Sequence, residues 1–179
     1  MEDGRGPGAK GDTHLTVFSM DGQRYALPLS RVRRVHRVVA VTPLPSAPAL
    51  VMGVVDLSGE VLPVIDLRAR FGHPARSLRL ADQLLVAFTG RRTVALWVDD
   101  TLGVVEASPE MLQPARDILP HLDLVQGAVR LDDGLVLIHD LGRLLSLDDE
   151  AALDQAFEVA RAASDALAAS ASRESAGPG

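Results

Sequence analysis

A fifteen-residue stretch occurs twice in this chain. GVVDLSGEVLPVIDL, from Gly53 to Leu67, aligns without a gap 74 residues later on GAVRLDDGLVLIHDL, from Gly127 to Leu141. Gly53/Gly127, Val55/Val129, Leu57/Leu131, Asp66/Asp140 and Leu67/Leu141 are identical. Each copy reads as a glycine, a short strand, a polar turn, a second strand, and an Asp-Leu pair opening a helical turn. An upstream hairpin is copied as well, because GQRYALPL and GRRTVALWV each follow a strand that ends near Phe18 or Phe88. A chain of 179 residues with such a duplication is expected to build two similar, intertwined β lobes around a common core, with Gly53 and Gly127 at equivalent places.

The remaining elements fit that reading. LTVFSM and RYALPL flank Asp21-Gly22, a strong hairpin signal, while TPLPSAPA carries three prolines that forbid regular structure. Short, numerous strands point to a small barrel or sandwich and away from a parallel α/β sheet. Aromatic residues are 3% of the chain, so the core has to be built from Val, Leu, Ile and Ala. Residues 1–12 are Gly-rich, polar and aperiodic, and read as a flexible arm. The β region then spans 13–147. Ser146-Leu-Asp-Asp149 has capping-box spacing and opens an Ala-rich helix over 148–170, whose Leu153, Phe157, Ala160 and Leu167 recur at helical intervals. That stripe is thin, so the helix is expected to dock near its start and fray beyond it, with a disordered tail over 171–179.

The sequence is poor in chemistry. Without cysteine it has no disulfide, thiolate metal site or cysteine nucleophile, and a reducing compartment is expected. No apolar run approaches the ~20 residues that span a bilayer, and the N-terminus has no apolar signal region, so a soluble cytoplasmic protein without membrane insertion is expected. Phosphate-cradling, dinucleotide and nucleophile-elbow motifs are missing. His14, His36, His73, His121 and His139 lie on different elements, which argues against a metal or other cofactor. Asp140 beside His139 matches Asp66 in the repeat, and a carboxylate after a strand at a helix start reads as a cap. Asp99-Asp100 and Asp132-Asp133 read as hairpin turns.

Charge is divided along the chain. Residues 24–92 hold eleven arginines against four carboxylates, and residues 93–179 hold five against sixteen. Arg31, Arg33, Arg34 and Arg37 form the one basic cluster, yet only Tyr25 could supply a stacking surface near it, so nucleic acid is not an expected partner. A solvated or protein-contacting strand face is the better reading. Pro63 inside VLPVIDL implies an edge strand or bulge, because proline cannot donate to a ladder, and such an edge is a place for a partner to dock. A binding module thus leads over two alternatives: an enzyme using His139 or His121 with nearby carboxylates, and a nucleic-acid-binding barrel using Arg31–Arg37.

Tyr25-Ala-Leu-Pro-Leu29 before a Val-rich strand, the Pro-containing loop leading to GVVDLSG, the run VLPVIDLR, and SPEMLQP followed by Gly127 and the second Asp-Leu occur in order. In this the chain resembles the CheW-like family from about Leu15 to Leu145. The resemblance implies a mainly β fold of two SH3-like five-stranded barrels sharing a core, here with a C-terminal helix. It further implies a non-enzymatic adaptor without cofactor that couples the cytoplasmic tip of a chemoreceptor to the regulatory domain of a CheA-type histidine kinase. Partner contacts would then fall on Arg34 and Val35, on Asp56, Leu57, Ser58 and Gly59, and on the strand edge at Pro63. The family commonly has Glu at the position of Arg34 and Asn-Leu-Arg-Gly where this chain has Asp56-Leu57-Ser58-Gly59. A pairing of Arg34 with Asp56 would restore a charge pair with its signs exchanged.

Neither terminal segment carries enough apolar surface to offset its ordering entropy. A chain spanning 13–170 is therefore expected to keep the cooperative thermal transition of the full protein by circular dichroism. Loss of that transition would show that a removed segment packs.

Overall fold

A computed structural model describes residues 13–118 and 123–174; residues 1–12, read above as an arm, and 175–179 of the tail lie outside these. Among the described residues eleven strands run in the order β1 (Thr13–Met20), β2 (Gln23–Pro28), β3 (Val32–Arg37), β4 (Val51–Leu57), β5 (Glu60–Asp66), β6 (Gln83–Phe88), β7 (Thr93–Val98), β8 (Asp100–Ala107), β9 (Leu112–Pro114), β10 (Val125–Leu131) and β11 (Gly134–His139). Helices are α1 (Leu67–Phe71), α2 (Ala115–Ile118) and α3 (Leu147–Glu174). One sheet has the order β8-β1-β2-β11-β10-β9 and the other β3-β6-β7-β5-β4; these are lobes 1 and 2. Lobe 1 therefore has a sixth strand, the three-residue β9. Its counterpart in lobe 2 is the single bridge between Thr42 and Val54.

The sequence repeat is reproduced residue by residue in the hydrogen-bond register. Gly53 opposes Val64, Val55 opposes Leu62 and Leu57 opposes Glu60; 74 residues later Gly127 opposes Ile138, Val129 opposes Val136 and Leu131 opposes Gly134. Both hairpins carry a bulge just before the glycine. A Cβ on Gly53 would lie 2.2 Å from the Thr42 carbonyl oxygen, and one on Gly127 would lie 2.7 Å from that of Gln113. Each glycine lets a neighbouring backbone close onto its strand.

The intertwining is an exchange of hairpins. The first repeat contributes β1 and β2 to lobe 1 but β3, β4 and β5 to lobe 2; the second contributes β6 and β7 to lobe 2 but β8 to β11 to lobe 1. Both exchanged hairpins are buried on both faces, which is why they read as nearly unbroken apolar runs. Phe18, Met20, Tyr25 and Leu27 of one and Leu85, Ala87, Val94, Leu96 and Val98 of the other meet in a shared core, joined by Leu141, Leu144, Leu145 and Leu153. Their alternate residues turn inward, Leu15, Val17 and Ala26 to lobe 1 and Leu84, Val86, Ala95 and Trp97 to lobe 2.

A buried ionic cluster ties this arrangement at one point. Arg68, at the start of α1, is wholly buried and donates to Asp21 Oδ1 at 2.7 Å and to Asp99. Arg76 donates to both oxygens of Asp82, each at 2.8 Å, and also to Asp99. Both guanidinium groups lie 5.0 Å from the Trp97 ring centroid, and the indole N–H donates to Asp82 Oδ2 at 2.9 Å. Burial works against the Asp82 charge, but Arg76, the Arg79 N–H and Trp97 together hold its carboxyl below the usual range. Asp99 is thus not part of a hairpin turn, as its Asp-Asp sequence suggested. It sits where the chain leaves lobe 2 for lobe 1, and it accepts from the Asp21 N–H at 2.8 Å as well.

Other details divide between agreement and correction. Asp66 and Asp140 both cap helical turns, accepting from the N–H groups of Arg68 and Gly142 at 2.9 Å. Ser146 and Asp149 form a reciprocal capping box at the head of α3. Leu153 and Ala156 are buried and Phe157 packs beside them, with Arg92 bonded to Glu150 and Asp154. Beyond Ala160 the helix continues to Glu174, past the expected end at 170, with residues 161–173 exposed, Leu167 among them. Alanine propensity favours these exposed turns. Pro63 is not on an edge. β5 lies between β7 and β4, and Pro63 is buried; its missing N–H is tolerated because pairing with β7 begins only at Val64.

Two stability tests follow from these positions. Gly53→Ala and Gly127→Ala should each destabilise the fold, on the order of 2–3 kcal/mol from forced overpacking. Gly53→Ala should be the worse, since its Cβ contact is closer and its φ is +150°; equal and negligible shifts in urea midpoint would contradict the close approach. The second concerns His139, which packs on Tyr25 and Phe71 and whose burial pushes its pKa down to about 4. An unfolded histidine titrates near 6.5, so below that pH protons favour the unfolded state until the folded group also titrates. Stability should fall as pH drops from about 6.5 to about 4, by up to roughly 3 kcal/mol from this group. His139→Phe should flatten that slope in urea titrations; the Asp82 contribution is lost only at lower pH.

Candidate partner interface

The strand and turn singled out in the sequence lie together although β3 and β4 occupy opposite ends of the sheet order. The link is Glu60, which stands just after the β4–β5 turn. Its carboxylate accepts from Arg34 Nη2 at 2.9 Å and from Arg33 Nη1 at 3.2 Å, and Arg33 also reaches Thr93 Oγ1 at 3.1 Å. Arg34 further approaches the Leu57 carbonyl at 3.5 Å. The carboxylate therefore draws the two ends of lobe 2 together.

Arg34 does not pair with Asp56. Asp56 turns inward on its own hairpin, where Oδ1 accepts from the Gly59 N–H at 2.6 Å. Ser58 and Gly59 have φ of 61° and 87°, the left-handed pair a two-residue hairpin requires. With its carboxylate committed to the turn, Asp56 leaves Arg34 to the next acid along the chain. Glu60 is the functional candidate that sequence reasoning missed. Its signal was position alone, a carboxylate immediately after a Ser-Gly turn.

The candidate residues divide by exposure. β3 alternates strictly, placing Arg33, Val35 and Arg37 outward, with Val35 42% exposed. Val61, 53% exposed, adds apolar surface next to Glu60. Asp56, Ser58 and Gly59 are also accessible, whereas the side chains of Leu57 and Pro63 are buried, so neither can be a contact side chain. The result is a surface on which Arg33 and Arg34 are clasped to Glu60, with Arg37, Val35 and Val61 exposed beside them. It suits recognition of another protein's polar and apolar groups together.

The alternatives find less support. Tyr25 is buried in the shared core, stacked between Phe18 and Phe71, which removes it as a platform for bases near the arginines. His139 is enclosed by aromatic rings, and His121 lies outside the described residues. Among the described residues no three His, Asp or Glu side chains converge as metal ligands, and no helix is long and apolar enough to cross a membrane.

Two lobes that share a core and exchange hairpins, with a charge-clasped strand and turn on the surface of one, define a double-barrel binding scaffold. The chain belongs to the CheW-like domain family, whose model matches residues 14–149, and its lobes are the two SH3-like barrels of that fold. It is similar to a probable chemotaxis protein CheW of Rhizobium etli, with 30% identity over 139 residues that cover 76% of this chain and 90% of that protein. It is also similar to Protein FrzA of Myxococcus xanthus, with 31% identity over 112 residues, 63% of this chain and 66% of that one. Among solved structures, the scaffolding protein TtCheW of Thermoanaerobacter tengcongensis superposes with a TM-score of 0.69 at 25% identity, covering 77% of this chain and 95% of that one.

Proposed function

We propose that this chain is a non-enzymatic cytoplasmic adaptor of bacterial chemotaxis signalling that couples chemoreceptors to a CheA-type histidine kinase. The observation that carries this reading is the family match across residues 14–149, which spans both intertwined lobes. The relatives named as chemotaxis and scaffolding proteins support it. The working module is residues 13–147, with α3 as an appendage.

Kinase binding draws on the regulatory domain of the kinase, itself of this fold, and receptor binding on the tip of the receptor coiled coil. The receptor contact falls on Arg34, Val35 and the turn Asp56–Gly59, with Glu60 as part of it. Here the strand contributes the cation and the hairpin the anion, the reverse of the family's usual Glu on the strand and Arg in the turn. A receptor matched to this surface carries charges to suit, since mismatched charge across an interface costs several kcal/mol, about.

Arg34→Glu alone sets two carboxylates against each other beside Glu60; adding Ser58→Arg supplies a cation again. The double variant is expected to change folding stability by no more than ~1 kcal/mol, as for exposed pairs, while shifting receptor preference. The check is capture of kinase regulatory domains and receptor tips from the source genome by the wild-type and doubly substituted proteins. Wild-type protein that captures no kinase domain at any salt concentration would overturn the adaptor reading. Capture of kinase with unchanged receptor preference in the variant would overturn only the site.

A further inference from the structure

Because the lobes are copies, each position in one has a counterpart in the other. In β1, β2 and β8 the counterparts lie 69 residues away in β6, β7 and β3: the pair Leu15/Pro28 corresponds to Leu84/Trp97, and Arg34/Val86 to Gly103/Val17. Trp97 fills the interior of lobe 2. It is 1% exposed, packs in one cluster with Leu84, Val64, Val41 and Met52, and donates its ring N–H to Asp82.

Lobe 1 has Pro28 at that place and holds no indole. Instead it has a cavity of about 300 Å³, open to solvent on one side, lined by Leu15, Pro28, Leu112, Gly127 and Ile138. These are the counterparts of Leu84, Trp97, Val41, Gly53 and Val64, so the cavity occupies the volume that the indole fills in the other lobe. Thr13, also lining it, is the counterpart of Asp82, and a hydroxyl there can accept from a ring N–H as the Asp82 carboxylate does in lobe 2. Gln126 replaces Met52 and adds a polar rim.

We propose that this cavity is a socket for a tryptophan side chain presented by another polypeptide. The ring size and the single acceptor are read from the lobe that already holds one. This chain cannot supply the ring: its one tryptophan is Trp97, buried in lobe 2, and residues 1–12 contain no aromatic residue. The open side argues for a polypeptide, because ligand sites for free small molecules enclose most of the ligand surface, whereas flanking residues can cover this opening. The short β9, which supplies Leu112 and ends its sheet, forms part of the rim. The proposal does not depend on the kinase or receptor assignment.

The test is an amide-detected NMR titration of the full chain with N-acetyl-L-tryptophanamide, a capped Ala-Ala-Trp-Ala-Ala peptide, free indole and, as a control, N-acetyl-L-leucinamide. Saturable shifts confined to Leu15, Leu112, Gln113, Gln126, Gly127 and Ile138 are expected with the first three only, the pentapeptide binding most tightly. Pro28→Trp should fill the socket from within, raise Tm and abolish the shifts. Thr13→Val should weaken the tryptophanamide about three- to tenfold, the worth of one hydrogen bond, and leave its N-methylindole analogue unaffected. No saturable shift in the wild type, or the same shifts in Pro28→Trp, would overturn the socket. A pentapeptide no tighter than indole would overturn its assignment to a polypeptide. Should Pro28→Trp fail to fold, Thr13→Val decides: equal losses for both analogues, or none, would count against the proposed geometry.

Discussion

The pairing of Arg68 with Asp21 and Asp99 fixes how the two lobes meet. Arg68 follows β5, the last strand that the first repeat gives to lobe 2, Asp21 lies in the turn of the hairpin given to lobe 1, and Asp99 marks the return crossing. A fully buried guanidinium is tolerated only with its charge met, and here one acid comes from the turn of the exchanged hairpin and the other from the link between lobes. Arg76, Asp82 and Trp97 extend the same cluster into the interior of lobe 2. The shared core supplies the hydrophobic drive, but it is non-directional. The ionic cluster supplies the direction.

Much of this architecture was legible in the residues, and for an identifiable reason. The Asp-Gly and Ser-Gly turns and the terminal Asp-Leu caps are local rules; the caps recur in both copies, and the hairpins that hold Gly53 and Gly127 keep one register. What escaped were features that depend on distant partners. Asp99 resembled a turn residue because nothing nearby shows that two arginines close on it. Pro63 resembled an edge residue because the point at which β7 begins to pair cannot be seen from β5 alone. Asp56 and Glu60 compete for Arg34 on nearly equal terms in sequence, and the hairpin's own hydrogen bond decides between them. α3 outran its expected end because propensity carries an exposed alanine helix further than its few apolar contacts suggest.

The two lobes have diverged in opposite ways. Lobe 2 carries the indole, the ionic cluster and the charge-clasped turn, so its interior is filled and its polar groups are gathered on the surface around Glu60. Lobe 1 retains the hairpin geometry with Pro28 in place of the indole and a polar rim, and its interior is partly open. A recognition module of this design can present one polar and one apolar surface from nearly the same backbone. Conservation of register with divergence of side chains is how a duplicated scaffold acquires two unlike faces.

The hairpin exchange also bears on ancestry. A chain holding one repeat alone would have a hairpin with no sheet to join and a sheet lacking its two inner strands. Two such chains could satisfy each other by trading hairpins, giving a two-fold symmetric dimer in which neither subunit is complete. The segment from Gly72 to Asp82 would then be the seam at which such a pair was fused into one polypeptide. Fusion removes the concentration dependence of assembly and frees each half from the symmetry that had required it to match the other.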